Sequence, residues 1–199
     1  MALSLVAAPA IEPLTLLEAK AQCKVDSTDE DALIQTLIVA ARGFVESFTH
    51  RALITQTWDL KLDAFPNWLA PITLPMPPVQ SVTSISYIDM AGATQTWSPS
   101  LYETDLPAGP NAGYGRILPA YQQIYPVTRL VMNAVTVRFV AGYGALKDVP
   151  AEIKAAMKLL IGNWWFNREA GQIVRGSVEV LPFGVEALLW PFKAFACAA

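Results

Sequence analysis

Residues 31–62 read DALIQTLIVAARGFVESFTHRALITQTWDLKL, and inside this stretch the spacing of apolar side chains changes from that of a helix to that of a strand. Leu33, Leu37, Ala40, Phe44 and Phe48, with Ile34, Ile38, Ala41 and Val45 beside them, recur every three or four residues and give one helix a broad apolar face. Past Arg51 the period drops to two: Trp58, Leu60 and Leu62 point one way, Asp59, Lys61 and Asp63 the other, as in a half-buried strand. A long helix that runs to about Thr49 and then gives way to alternation implies helices packed beside a sheet.

Toward the N-terminus, Ser27-Thr28-Asp29-Glu30 has capping-box spacing, and its acidic residues suit the positive end of the helix dipole. Thr15-Leu16-Leu17-Glu18 carries the same device, so a shorter helix is expected from about Leu16 to Lys24. The run Ala2 to Ile11 is apolar, lacks a basic segment and is short for a secretion signal, which suggests an arm lying on a neighbouring surface.

Toward the C-terminus, proline clusters at 66–71 and 75–78 lead into a β-rich run, Val79 to Ile88. Asp89-Met90-Ala91-Gly92 supplies turn residues before Ala93 to Trp97, the pattern of a hairpin. Pro99 to Pro126 reads as a long ordered loop with one short strand near Arg116 to Leu118, and Ala134 to Tyr143 alternates again. Pro150 suits the first turn of a helix whose buried stripe is Ile153, Met157, Leu160 and Trp164. Glu169 to Gly176 looks like a mobile connection, followed by a short stretch Ser177 to Val180 and an apolar tail. The order is therefore two N-terminal helices, several antiparallel strands at about 53–144, one long later helix and a C-terminal tail or short helix, and strands lying together between helices suggest the α+β class.

The 199 residues suit one domain. Charged residues make up only 16% against 53% hydrophobic, below the roughly 25% charge of ordinary soluble domains, so some apolar surface is expected to meet other chains. The net charge is −3 and no stretch concentrates Lys or Arg, which argues against a grip on duplex DNA through its phosphates. Cys23 and Cys197 show neither metal-ligand spacing nor a disulfide framework. The last nineteen residues, LPFGVEALLWPFKAFACAA, are broken by Pro182, Gly184 and Pro191 and carry two charges, so a protein surface suits them and a membrane does not.

Catalytic signatures are weak. The single histidine, His50, reads more simply as a cap on the long helix than as a base or ligand. Neither a Gly-x-Ser-x-Gly elbow nor a phosphate-cradling loop occurs, and nothing implies a metal or cofactor. Glu103 and Asp105 could share acid and base work, which leaves a small carbohydrate-active enzyme as the alternative from another class. Gly113-Tyr114-Gly115 and Gly142-Tyr143-Gly144 read as turns needing positive φ. Adjacent Trp164 and Trp165 point about 100° apart on a helix, one into the core and the other toward its edge or a neighbour.

Leu14-Thr15-Leu16-Leu17-Glu18-Ala19-Lys20, the acidic step Asp26 to Asp31 and Ala32 to Arg42 together resemble the opening of head-tail connector proteins of long-tailed bacteriophages. Val149-Pro150-Ala151-Glu152-Ile153-Lys154-Ala155-Ala156 to Trp164 and the closing Leu181 to Leu189 resemble the same family. The resemblance implies a small helical bundle carrying the antiparallel β-rich insertion at about 53–144, and a non-enzymatic head-completion adaptor that forms a ring under the portal protein, with twelve-fold symmetry, closes the DNA-filled head and offers the tail its attachment surface. DNA would pass the bore without being read, and the protein would lie at the head-tail junction of the virion after synthesis in the host cytoplasm. On that reading the docking tail spans about 177–199, with Phe183, Leu188, Leu189, Trp190 and Phe192 as anchors in the portal or a neighbouring subunit, and Trp165, Tyr114 and Tyr121 are candidates for the ring interface. A tail-completion or terminator protein is the nearest alternative.

Overall fold

The computed structural model describes residues 1–67, 70–167 and 183–195. After an N-terminal strand β1, Ala2–Ala7, helix α1 spans Leu16–Cys23 and opens on the expected capping box. Thr15 Oγ1 accepts from the Glu18 N–H at 3.2 Å, and the Glu18 carboxylate accepts from the Thr15 N–H at 3.0 Å. The second box does not form: α2, Asp31–Thr49, starts with Glu30 as N-cap and no side-chain capping bond. Lys20 takes over the acidic step instead, its Nζ donating to the Ser27 carbonyl at 2.8 Å and to Asp31 at 2.7 Å, which ties the two helices together.

Along α2 the fully buried stripe is Ile34, Ile38, Ala41 and Val45, while Phe44 and Phe48 lie half-buried on its flank and Leu33 and Val39 are exposed. The apolar face is thus centred about one residue away from the Leu33 to Phe48 series. Helix α2 ends at His50, a left-handed cap with φ 54° whose N–H bonds the Glu46 carbonyl, in line with the capping role expected of this histidine.

The strands β2, Gln56–Leu62, β3, Ile72–Leu74, β4, Val79–Ile88, β5, Thr94–Trp97, β6, Tyr102–Asp105, β7, Gly115–Pro119, and β8, Val135–Ala141, form two antiparallel sheets. The larger runs β1-β2-β8-β4-β5, and the smaller β3-β7-β6. Both contribute to one apolar cluster, in which Leu60, Ile85, Val137 and Phe139 of the large sheet meet Ile72, Leu74, Ile117 and Tyr102 of the small one. The hairpin of β4 and β5 forms where expected, with Gly92 at φ 90° in its turn.

Two segments differ from the sequence reading. The N-terminal run is not an arm on another molecule: β1 pairs with β2 of its own chain from Ala2 opposite Lys61 to Ala7 opposite Thr57. The Pro99–Pro126 stretch holds the expected short strand as β7 and a second one, β6, within its loop, and these make two of the three strands of the small sheet. A four-residue strand such as β6 carries too few alternations to announce itself.

Of the two Gly-Tyr-Gly turns, only the second has the expected backbone, with Gly142 at φ 122° and Gly144 at φ 120°. A Cβ on Gly142 would sit 2.3 Å from the Ile54 carbonyl oxygen, so glycine lets the end of β8 cross the residues entering β2. Gly115 lies inside β7, where a Cβ would press on Leu106 and Val79 at 3.0 and 3.2 Å; space and not φ explains it.

Helix α3, Ala151–Phe166, packs on α1 and α2 through Ile153, Ala156, Met157, Leu160 and Ile161. Where the bundle meets the sheet, Glu46 is 8% exposed. Its Oε1 accepts from the Leu53 N–H at 3.0 Å and from the Gln56 amide, and its Oε2 accepts from Arg42, which also holds Glu12. Burial pushes the Glu46 carboxyl above its ordinary range, against the pull of Leu53, Arg42 and Gln56. A folded carboxyl that keeps its proton to higher pH contributes stability fully present below the ordinary value of 4.5 and lost as pH rises through the raised one. Glu46→Gln should therefore flatten the fall in unfolding free energy above about pH 4.5, measured by urea denaturation at stepped pH. Asp59 behaves oppositely: the Arg138 fork at 2.8 Å and 2.8 Å lowers its pKa, so its contribution is present above the ordinary carboxylate range and lost on acidification.

Candidate assembly surface

The tail packs on the bundle as α4, Phe183–Leu189, followed by a single 3-10 turn over Trp190–Phe192. Val185, Leu189, Phe192 and Ala194 are buried in the helical core, and Leu188 packs against it. Spacings of four, three and two place these side chains on one side, as an amphipathic helix and turn require. Leu189 and Phe192 therefore serve their own fold and are not free to act as anchors in a partner, while Leu188 is half-buried and Trp190 stays 54% exposed. The Phe183 side chain and residues 168–182 and 196–199, which include the expected connection and the 177–180 stretch, lie outside the described residues.

The tail is clamped from three directions. The Ala194 N–H donates to the Thr49 carbonyl at 2.8 Å, and Tyr114 Oη donates to the Ala194 carbonyl at 3.1 Å. Arg51, only 3% exposed, donates from Nε to the Phe192 carbonyl and from Nη1 to the Ala112 carbonyl at 2.7 Å. Burial lowers the Arg51 pKa, with Tyr143 and Tyr114 acting the other way. Tyr143 in turn donates to the Pro110 carbonyl at 2.6 Å, and burial raises its pKa. One guanidinium thus joins the end of α2, the tail and the loop before β7.

Above this clamp runs an aromatic ribbon. Trp164 meets Phe44 edge-on at 6.3 Å, Phe44 stacks with Phe48 at 6.2 Å, and Lys193 Nζ lies over Phe48 at 5.1 Å, Trp190 at 5.4 Å and Phe195 at 5.9 Å. Trp190 and Phe195 close the ribbon at 6.2 Å, and Phe195 is 60% exposed. A cation held among rings loses little freedom when a partner covers it, and large aromatic side chains concentrate binding energy. Sequence reading found Trp190 but missed Phe44, Phe48, Lys193 and Phe195; the aromatics were visible, their convergence on one lysine was not.

The remaining candidates scatter. Trp165 is partly buried against the bundle core, Tyr121 is 85% exposed in the loop after β7, and Tyr114 is committed to the tail. Glu103 and Asp105 share an exposed face of β6, where Asp105 pairs with Arg116, a setting for surface ion pairing. Among the described residues no group of three or more His, Cys, Asp or Glu could hold a metal ion. A cleft of about 1000 Å³ opens between residues 106–111 and the start of α3, with an apolar wall rich in proline and with Lys147, Asp148, Glu152 and Lys154 on its α3 side.

A bundle with a rooted tail, a cation-bearing aromatic ribbon and scattered ionisable groups has the character of a structural protein that docks. Residues 13–93 match the family model described as Phage gp6-like head-tail connector protein. The chain is similar to a chain in the neck of an empty GTA particle computed with C6 symmetry, with 25% identity over 99% of this chain and 97% of that one and a TM-score of 0.76. A chain in the neck of a native GTA particle computed with C12 symmetry matches at 26% identity, the same coverages and a TM-score of 0.73. A third match, at 24% identity over the same shares and a TM-score of 0.73, is in the virion of a native gene transfer agent (GTA) particle. No curated protein matches the chain in sequence. The α+β fold and the likeness to head-tail connectors read from the sequence are both borne out.

Proposed function

We propose that the protein assembles as a ring of identical subunits beneath the portal of a phage-type particle, closes the DNA-filled head and presents a surface for the tail. The observation that carries this reading is the tail's division of labour: Leu189 and Phe192 root it in the subunit while Trp190 and Phe195 turn outward around Lys193. A docking element held rigid before binding loses less entropy on association than a free one. The neck structures computed with sixfold and twelvefold symmetry support a ring of identical subunits; in the proposed ring of twelve at the head-tail junction, Trp165 and Tyr121 make the lateral contacts. The net charge of −3 supports a bore that passes DNA without holding it.

The test is binding of the purified chain to portal-bearing heads, followed by sedimentation. Trp190→Ala with Phe195→Ala should weaken attachment by about 2 kcal/mol or more, roughly thirtyfold, while the melting temperature stays near wild type. Unchanged attachment by a folded double variant would remove the ribbon from the portal contact.

A further inference from the structure

The large sheet has two ends. Gln56, Val79 and Ala141 lie at the end next to the helical bundle and the tail; Leu62, Ile88 and Val135 lie at the other, as the antiparallel registers require. At about 3.3 Å per residue, the ten residues of β4 separate the two ends by about 30 Å. The far end carries the loop Ala120 to Ala134 and the hairpin turn at Met90.

Ile124, Val127, Leu130, Met132 and Met90 are between 66% and 91% exposed there. Their backbone is nonetheless fixed. Tyr125 stacks on Phe65 at 5.2 Å and donates to the Ala70 carbonyl at 2.8 Å. The Arg129 N–H donates to the Ile88 carbonyl at 3.0 Å, the Ile88 N–H to Ala134 at 2.8 Å, and the Asn133 N–H to Asp63 at 2.9 Å. Apolar side chains held outward on a pinned loop form a prepared contact, unlike single exposed apolar residues scattered over a surface.

We infer that this far end is a second docking surface, for a non-identical protein that presents an apolar groove with a neutral rim. The inference rests on the connector reading and names the surface on the side away from the portal. The loop's one charge is Arg129, whose guanidinium lies against the hairpin turn, 2.7 Å from where a Cβ on Gly92 would stand. Asp89 of that turn, and Asp63 with Lys61 at the end of β2, complete the rim, so the patch is apolar at its centre and carries no excess of cations at its edge. That balance disfavours DNA and anionic lipid, which both require cations.

Leu130→Asp with Met132→Asp in the full chain separates the possibilities. Both side chains point to solvent, so the variant should melt with the wild type and attach normally to portal-bearing heads. Joining of purified tails to heads carrying it, counted in negative stain, should fall at least tenfold. Joining at the wild-type level overturns the inference. So does loss of self-association in the variant, which would make the occupant a second copy, or wild-type binding to phosphatidylglycerol vesicles that the variant lacks, which would make it lipid. If the wild-type chain itself fails to bind portal-bearing heads, the portal reading falls, and direct binding of wild-type and variant chains to isolated tails still decides this surface.

Discussion

Leu189→Ala should lower the unfolding free energy by about 2–5 kcal/mol, the range for truncating a fully buried leucine in a core that closes only partly over the cavity. Leu189 is 0% exposed and lies with Val185, Phe192, Leu160 and Ile161 in one cluster. The next residue should behave in the opposite way. Trp190→Ala removes a half-exposed ring whose contacts are Lys193 and Phe195, and its effect on stability should stay within about 1 kcal/mol, the scale of an exposed cation–π pair. Chemical denaturation of the two variants side by side reads this directly. If both are equally stable, the tail is not part of the core and the rooted-anchor description fails. If both are equally unstable, Trp190 is a core residue and no exposed anchor remains in that turn.

Arg51→Met should destabilise the protein by about 2 kcal/mol and free the tail. Met fills most of the same space, but the Phe192 and Ala112 carbonyls lose their donor, at about 1–3 kcal/mol for each buried group left unpaired. Relief of the desolvated guanidinium offsets part of that loss, which sets the net figure below the sum of the two. Hydrogen exchange should quicken at Lys193 and Ala194, whose N–H groups bond Trp190 and Thr49 in the wild type, while amides in the β2–β8 ladder keep their protection. Arg51→Lys keeps the charge and loses the fork, so it should fall between wild type and Arg51→Met. Equal protection at 193–194 in all three would show that Arg51 does not hold the tail.

What was legible in the sequence was what local periodicity encodes. The capping box at Thr15, the helices through Ala41 and Met157, the hairpin turn at Gly92 and the alternation around Phe139 all express neighbours along the chain, and each formed. The tail was legible as apolar but was read as an element whose partner lay outside the subunit. The series Val185, Leu188, Leu189 and Phe192 carries helical spacing that marks an inward face, and Trp190 falls outside it. That signal was present and outweighed by composition. The smaller sheet was hidden for a different reason: β3, β6 and β7 have only three to five residues each, and β3 becomes a strand by pairing with β7 across more than forty residues of chain. Arg51 was invisible as a clamp because its acceptors are backbone carbonyls 61 and 141 residues away, and a carbonyl leaves no mark in a sequence.

Surface charge shows the same limit. Glu18, on α1, bonds Lys158 of α3 at 3.2 Å, and Thr15 lowers its pKa more than that lysine does. Both side chains are about a third exposed, so the bridge adds little to stability. Its value is positional, because it fixes α1 against the helix that carries Trp164 and so helps to set the ribbon.

The central claim is that this chain keeps its tail rooted in itself while offering an aromatic ribbon to a portal-bearing head. Electron microscopy of portal-bearing heads incubated with the purified chain, with image averaging down the portal axis, tests it most directly. The account predicts a ring of added density of twelve subunits under the portal for the wild type and for the Leu130→Asp, Met132→Asp variant, and its loss for Trp190→Ala with Phe195→Ala. A ring that forms as well without Trp190 and Phe195, or heads that gain no density from a folded wild-type chain, would contradict it.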